Sequence, residues 1–228
     1  MKLLIVDDHP IVRSGLRRLL SAEPGLDIVE AANGQEAIAA YKDWRPDLVI
    51  LDLNLPGISG LEVLNRLKIE NPKVRALAVS MHDNPLYVTR VLEAGACGYV
   101  SKSAPPEQLL EAVRRVAAGQ TYIEHEVAQD LALWNIRGAS HPLKQLSPRD
   151  VEILRQLAGG KSLREIAQII GVSYKTVANH CSQLKARLAT PRMADLIRLA
   201  ISAGLSSDDA RLAGSLAEDA QPPRRLSP

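Results

Sequence analysis

Asp7, Asp8 and Asp52 stand where carboxylates are expensive. Lys2–Val6 and Val49–Leu51 are short apolar runs, the first ending in Asp7-Asp8 and the second in Asp52. Such runs suit strands buried on both faces, where a terminal acid needs a partner. If the two strands lie side by side in a parallel sheet, their carboxyl ends open into one crevice, the place where open α/β sheets bind ligands. Three carboxylates meeting there repel one another until a cation neutralises them. Oxygen-only ligands with open positions favour Mg2+. Two later runs end in kind: Val74–Val79 leads into Ser80, and Cys97–Val100 into Ser101-Lys102. A hydroxyl and an ammonium suit the oxygens of a phosphoryl group placed on Asp52, so the constellation points to an acyl phosphate.

Taken singly, these residues have plainer readings. Asp7-Asp8 also suits a helix N-cap, Lys102 a solvated surface lysine and Tyr99 a core ring. Their joint placement at the ends of four apolar runs decides for the site.

The elements that must position them alternate strictly. Strand patterns cover 2–6, 26–31, 47–51, 74–79 and 97–100; helical patterns cover about 11–21, 34–43, 59–69, 84–94 and 105–118. This predicts a doubly wound α/β domain over 1–120, five parallel strands with helices on both faces. Residues 121–146 form a joint: a strand stub, a helix with Val127, Leu131 and Trp134 on one side, then a breaker-rich linker from 135 to 146. On which domain Trp134 packs stays open.

A second domain is expected over 147–204. Ser147-Pro148-Arg149-Asp150 caps a helix carrying Val151, Ile153, Leu154 and Leu157, which Gly159-Gly160 ends. Ser162-Leu163-Arg164-Glu165 is a capping box for a second helix, Gly171-Val172 turns the chain, and Ser173 caps a third running to Leu188. A fourth covers about 192–203. Short helix, glycine turn and capped helix make a helix-turn-helix. Residues 205–228, poor in apolar side chains and rich in proline, read as a disordered tail.

Composition agrees with two domains in 228 residues, 46% of them hydrophobic and 24% charged. No run approaches the roughly 18 apolar residues of a membrane span, and the N-terminus enters a strand at once, so no membrane partner is expected. Cys97 and Cys181 fall in different domains, which argues against a disulfide framework and for the cytoplasm. Residues 1–120 carry 14 basic and 15 acidic side chains, whereas 141–204 carry 10 and 4. The basic surplus lies where a nucleic-acid footprint would lie.

Asp7-Asp8, Asp52, Ser80 and Gly98–Lys102, in that order, resemble the receiver domain of bacterial two-component response regulators, a flavodoxin-like fold, over the first 120 residues. The resemblance implies that Asp52 accepts a phosphoryl group from a sensor histidine kinase. It implies that Asp8, Asp52 and the backbone carbonyl of Asn54 bind Mg2+, with Asp7 acting through water. Lys102 and Ser80 would touch the phosphoryl oxygens, and Tyr99 would turn inward as Ser80 moves. Asn54 and His82 would flank the path of the attacking water, although a solvent-exposed histidine is the simpler account of His82. Leu146–Val151, Leu163–Ile170 and Ser173–His180 resemble the LuxR-type output domain, so the whole chain looks like a NarL/FixJ-family regulator that binds double-stranded DNA as a homodimer.

In the third helix of that domain Val177, Cys181, Leu184 and Leu188 should face the core, leaving Lys175, Ala178, Asn179, Ser182 and Lys185 toward DNA. Backbone amides near Ser173, the Thr176 hydroxyl, Lys175 and Lys185 suit phosphates, and Asn179 suits a base edge. His180 is either a packed residue or a phosphate contact. The resemblance places lysine or arginine commonly where this chain has Ala178. A plausible switch has the receiver touching this third helix until Asp52 is phosphorylated. Two competing classes are a phosphohydrolase-like enzyme, which lacks a second nucleophile motif, and a regulator acting by protein contact, encouraged only by Ala178.

Overall fold

The computed structural model describes residues 1–21, 23–81, 84–137 and 142–205. The receiver half alternates β1 (Lys2–Val6), α1 (Pro10–Leu20), β2 (Asp27–Ala31), α2 (Gly34–Trp44), β3 (Leu48–Asp52), α3 (Gly60–Glu70), β4 (Ala76–Ser80), α4 (Pro85–Glu93), β5 (Gly98–Ser101) and α5 (Pro106–Ala117). The strands are parallel in the order β2-β1-β3-β4-β5-β6. The sixth strand, β6 (Tyr122–Ile123), is the stub after the last receiver helix; it pairs with β5 through Gly98 and Tyr99, so the sheet has six strands where the sequence predicts five.

The two-residue period of the strands sorts the core into two layers. Leu3, Ile5, Leu48, Ile50, Leu77 and Val79 face Leu109, Ala112, Val113 and Val116 of α5. Leu4, Val6, Val49, Leu51, Ala78 and Tyr99 face the other way, toward α2, α3 and α4. This second layer does not stop at the domain boundary. It continues through Val127 and Leu131 of α6 (His125–Arg137) and Leu143 and Leu146 into the C-terminal helices, and Trp134 packs partly buried against this shared cluster.

The C-terminal half contains α7 (Pro148–Ala158), α8 (Leu163–Ile169), α9 (Tyr174–Arg187) and α10 (Met193–Ser202). Capping boxes start α7 (Ser147 with Asp150) and α8 (Ser162 with Glu165), each pairing two otherwise orphaned N–H groups. Gly171, with φ of +68°, turns the chain between α8 and α9 in the left-handed region that glycine enters without strain. Val177, Cys181 and Leu184 are buried along the inner face of α9. Leu205, assigned above to the tail, is instead buried, because the chain folds back after α10 with its N–H on the carbonyl of Ala200. The rest of the expected tail, 206–228, lies outside the described residues, as do 138–141 of the linker and His82.

Candidate functional site: a carboxylate crevice and a basic helix

Strand order reverses between β1 and β3, so the loops that follow them diverge and leave a crevice at the carboxyl edge of the sheet. Asp7 and Asp52 end these neighbouring strands, and both are buried at 1% exposure. Each accepts on Oδ1 the N–H of the residue two positions on, His9 to Asp7 at 2.8 Å and Asn54 to Asp52 at 2.9 Å. Such turns aim the second oxygen, Oδ2, into the crevice. There Lys102 Nζ lies 2.7 Å from Oδ2 of both Asp7 and Asp52. The lysine is itself held in place, its backbone N–H donating to Ser80 O at 2.8 Å. Ser80 and Ser101 are register partners at the ends of β4 and β5.

One ammonium does not satisfy two buried acids. Burial holds the Asp52 carboxyl above its ordinary range even though Lys102 and the Asn54 N–H pull it down, and Asp7 adds to the rise. Burial alone would lower the Lys102 ammonium; Asp52 and Asp7 outweigh it and hold it above the usual lysine range. Asp7, Asp8, His9 and Asp52 bring ligand atoms within 4.8 Å of one another, a cluster that could bind a metal. Three of the four offer carboxylate oxygen, which suits a hard divalent cation. His9, 64% exposed in its side chain and 2.8 Å from Asp8 through Nδ1, has no counterpart among the sequence-derived site residues.

The acceptor loop depends on a glycine. A Cβ at Gly60 would lie 2.1 Å from the carbonyl oxygen of Asp52 and 2.5 Å from Leu53 Cα. Helix α3 can therefore start against the end of β3 only without a side chain there. Ser59, its N-cap, accepts from Glu62 N–H. Tyr99 is already fully buried, in the layer that continues into α6 and α7, where an inward turn was expected to follow phosphorylation.

In the C-terminal half α9 turns Ser173, Lys175, Asn179 and Ser182 outward, with Thr176, His180 and Lys185 half-buried beside them. Ser173 is occupied in capping, its Oγ accepting from Thr176 N–H at 3.1 Å and lying 2.8 Å from Thr176 Oγ1. His180 Nδ1 is 2.9 Å from Asp150 Oδ1 of α7, which fixes the ring and leaves Nε2 as its outer edge. Ser182 Oγ donates to Ala178 O at 3.0 Å.

Among the described residues, the polar contacts between the domains lie beside this helix, not on its outer face. They run through α7, the end of α8 and the end of α10: Arg155 to Asn54, Ile169 O to Ser59 N–H, and Ala203 O to Asn84 Nδ2. Helix α7 is buried along Asp150–Ala158 and offers one face to its own domain and another to α4.

Comparison with known proteins gives two family matches: the response regulator receiver domain over residues 3–114 and the bacterial regulatory proteins of the luxR family over 144–200. The transcriptional activator protein ExaE of Pseudomonas putida is 44% identical over 209 residues, covering 90% of this chain and 98% of that protein. The response regulator UvrY of Escherichia coli is 34% identical, covering 90% and 95%. Among solved structures, RcsB of Salmonella enterica serovar Typhimurium bound to promoter P1flhDC in the presence of phosphomimetic BeF3- shares 26% identity at a TM-score of 0.69, covering 89% of this chain and 98% of that one. A second RcsB structure, from Salmonella typhimurium, aligns at a TM-score of 0.71 with the same identity. Among the described residues no helix is long and apolar enough to cross a membrane.

Proposed function

The chain belongs to the response regulators that join a receiver domain to a LuxR-type domain, and from that premise we propose that a histidine kinase phosphorylates Asp52 and that the phosphorylated protein controls transcription by gripping duplex DNA. The observation that carries this reading is the single ammonium of Lys102 shared by two buried carboxylates. Such a site is under-neutralised and open to a phosphoryl group accompanied by a metal.

In the transfer an Asp52 carboxylate oxygen attacks phosphorus. The P–O bond forms as the P–N bond to the kinase histidine breaks, and the electron pair returns to the imidazole nitrogen. This chemistry needs positioning and charge neutralisation more than covalent help. Asp8, Asp52 and the Asn54 carbonyl would hold Mg2+, with Asp7 through water. Held there, the metal would supply positive charge to offset the carboxylates and the incoming phosphoryl group. Lys102 passes from the paired carboxylates to a phosphoryl oxygen, the Ser80 hydroxyl donates to another, and Tyr99 repacks behind it. Apart from this transfer to and from its own Asp52, the protein has no enzymatic role in this reading.

Helix α9 enters the major groove. Lys175, Lys185, Thr176, Ser182 and the amides at Ser173 meet phosphates and groove walls, and Asn179 reads a base edge. The Asp150–His180 pair favours a phosphate contact through Nε2. Residues 1–120 serve as receiver, 121–146 as joint and 147–205 as output domain. The active form is a homodimer, in keeping with the two-fold symmetry of paired half-sites, and acts in the cytoplasm.

The test treats wild type and Asp52→Asn with a small phosphodonor and Mg2+, then reads covalent phosphate, mass in solution and DNA binding together. Phosphate on wild type alone, with a rise in both other readouts, is expected. A wild type that takes no phosphate, or an Asp52→Asn chain that takes as much, overturns the reading.

A further inference from the structure

The two domains meet through charged groups that the transfer above does not use. Glu152 and Arg155, one turn apart on α7, form a buried pair with Nε–Oε2 at 3.1 Å and Nη2–Oε1 at 2.9 Å, and Gln156 Nε2 donates to Glu152 Oε1 at 2.8 Å. Arg155 Nη1 reaches across the joint and donates to Asn54 Oδ1 at 2.9 Å. Its guanidinium lies 5.1 Å from the centre of the Tyr87 ring on α4. Asn54 in turn gives its backbone N–H to Asp52 Oδ1. Two hydrogen bonds through one residue thus connect the acceptor carboxylate to a buried cation of the other domain.

Two docked helix ends bracket this connection. The carbonyl of Ile169, ending α8, accepts from the N–H of Ser59, the N-cap of α3, at 2.7 Å. The carbonyl of Ala203, just past α10, accepts from Asn84 Nδ2 at 2.8 Å, and Asn84 is the N-cap of α4. In both cases the negative end of an output helix meets the positive end of a receiver helix. The two caps close the loops that follow Asp52 and Ser80.

The arrangement restrains the acceptor. Both oxygens of Asp52 are engaged, Oδ1 by the Asn54 N–H and Oδ2 by Lys102; when Lys102 passes to a phosphoryl oxygen Oδ2 is freed, and the bond that remains on Oδ1 sets the direction in which Oδ2 points. The Asn54 loop thus aims the acceptor, and Arg155 pins that loop in the docked arrangement. The joint is also built to part. Because Glu152 and Arg155 belong to the same helix, separation returns a complete ion pair to water and leaves no unpaired charge buried on either side.

We propose that Arg155, acting through Asn54, is a positioning residue for phosphoryl transfer at Asp52: the docked output domain restrains the acceptor, and undocking frees it. The inference rests on Asp52 being the phosphoacceptor. Duplex DNA that draws the output domain away takes Arg155 off Asn54 and so speeds phosphoryl acceptance; in the equilibria, where coupling is reciprocal, phosphorylation favours the same undocked arrangement.

The test follows covalent phosphate on the full chain with acetyl phosphate and Mg2+, with and without sheared duplex DNA at low salt, for wild type, Arg155→Ala and Arg155→Lys. Arg155→Ala is expected to accept phosphate several-fold faster than wild type. DNA raises the wild-type rate and leaves that of Arg155→Ala unchanged, a difference a merely structural role would not produce. Lysine keeps the charge without the planar fork that serves Glu152 and Asn54 together, so Arg155→Lys falls between; it decides the matter alone should the alanine variant not fold. Equal rates in wild type and the folded variants, or equal acceleration of all by DNA, overturns the inference while Asp52 remains the acceptor. A wild type that takes no phosphate overturns the functional reading instead.

Discussion

Glu124, directly after β6, accepts the backbone N–H of Ser101 on Oε2 at 2.7 Å, one residue before the lysine that bridges Asp7 and Asp52. Glu124 is buried, and its own N–H donates to Tyr99 O at 3.1 Å. A residue of the joint between domains therefore holds the end of β5 from which Lys102 reaches into the crevice. Glu124→Ala strands the Ser101 N–H at a cost of about 1–3 kcal/mol. Thermal unfolding is expected to show that loss, and phosphoryl acceptance to slow several-fold. Glu124→Gln, whose amide oxygen accepts the same bond, keeps most of both. Unchanged acceptance in a destabilised Glu124→Ala would separate this residue from the site.

Gly60→Ala tests the contact between α3 and the acceptor strand. A methyl group there meets the Asp52 carbonyl at 2.1 Å, and that neighbour is backbone, so either α3 or the end of β3 must shift. Overpacking of this kind costs typically 1–3 kcal/mol. Gly25, where nothing lies within 4 Å, is not an equivalent control because its φ of +75° strains any side chain; Gly15, equally open and helical, is. Gly15→Ala should leave the unfolding temperature unchanged or slightly raised, whereas Gly60→Ala lowers it and slows phosphorylation.

Asp52 governs stability as well as signalling. Its carboxyl is held above the ordinary range by burial, so the fold favours the protonated form. The stability associated with this group is fully present below its unfolded pKa and is lost as pH rises through the raised folded value. Asp52→Asn, neutral at every pH, should therefore unfold a few degrees above wild type at neutral pH without divalent ions. The difference should shrink on acidification into the carboxylate range. Mg2+ should raise the wild-type midpoint more than the variant's, because only the wild type presents all three acids. A variant less stable than wild type at neutral pH would contradict the burial argument.

Lys175 and Lys185 on α9 are assigned to phosphates. Each neutralised phosphate contributes roughly 0.9 to the slope of log affinity against log salt. Lys175→Ala and Lys185→Ala are expected to weaken binding on every sequence tested and to flatten that slope by about one apiece. Asn179→Ala should instead narrow the difference between preferred and random duplexes by about 1–3 kcal/mol, leaving the slope in place.

Much of the site is legible before folding because a parallel sheet sends every strand end to the same edge. An acid after β1, an acid ending β3, a hydroxyl ending β4 and a lysine after β5 must then converge, whatever the helices do. The parts that are not legible along the chain depend on what lies opposite a side chain. Gly60 falls at the start of the helical pattern 59–69, where nothing along the chain marks a close contact; its role arises from the approach of α3 to β3. Glu124 sits in a joint with weak periodicity, and its partner is a backbone group 23 residues away. Glu152 and Arg155 have the i,i+3 spacing of a solvated helix pair, and only Asn54 and Tyr87 of the receiver, lying against Arg155, distinguish them. His9 adjoins the acids in sequence, but only the turn at Asp7 brings its ring to Asp8.

By itself, the order of residues determined the two domains, the parallel sheet, the convergence of Asp7, Asp8, Asp52, Ser80 and Lys102, and the basic outer face of α9. These follow from periods of two and 3.6 residues and from caps, all of which act within a few neighbours along the chain. Tertiary structure alone decided that α7 packs on α4 of the receiver, that Tyr99 is already enclosed, and that Arg155 lies two hydrogen bonds from Asp52. A helical period sets the direction of a side chain about its own axis. The surface that direction meets is set by how whole elements pack.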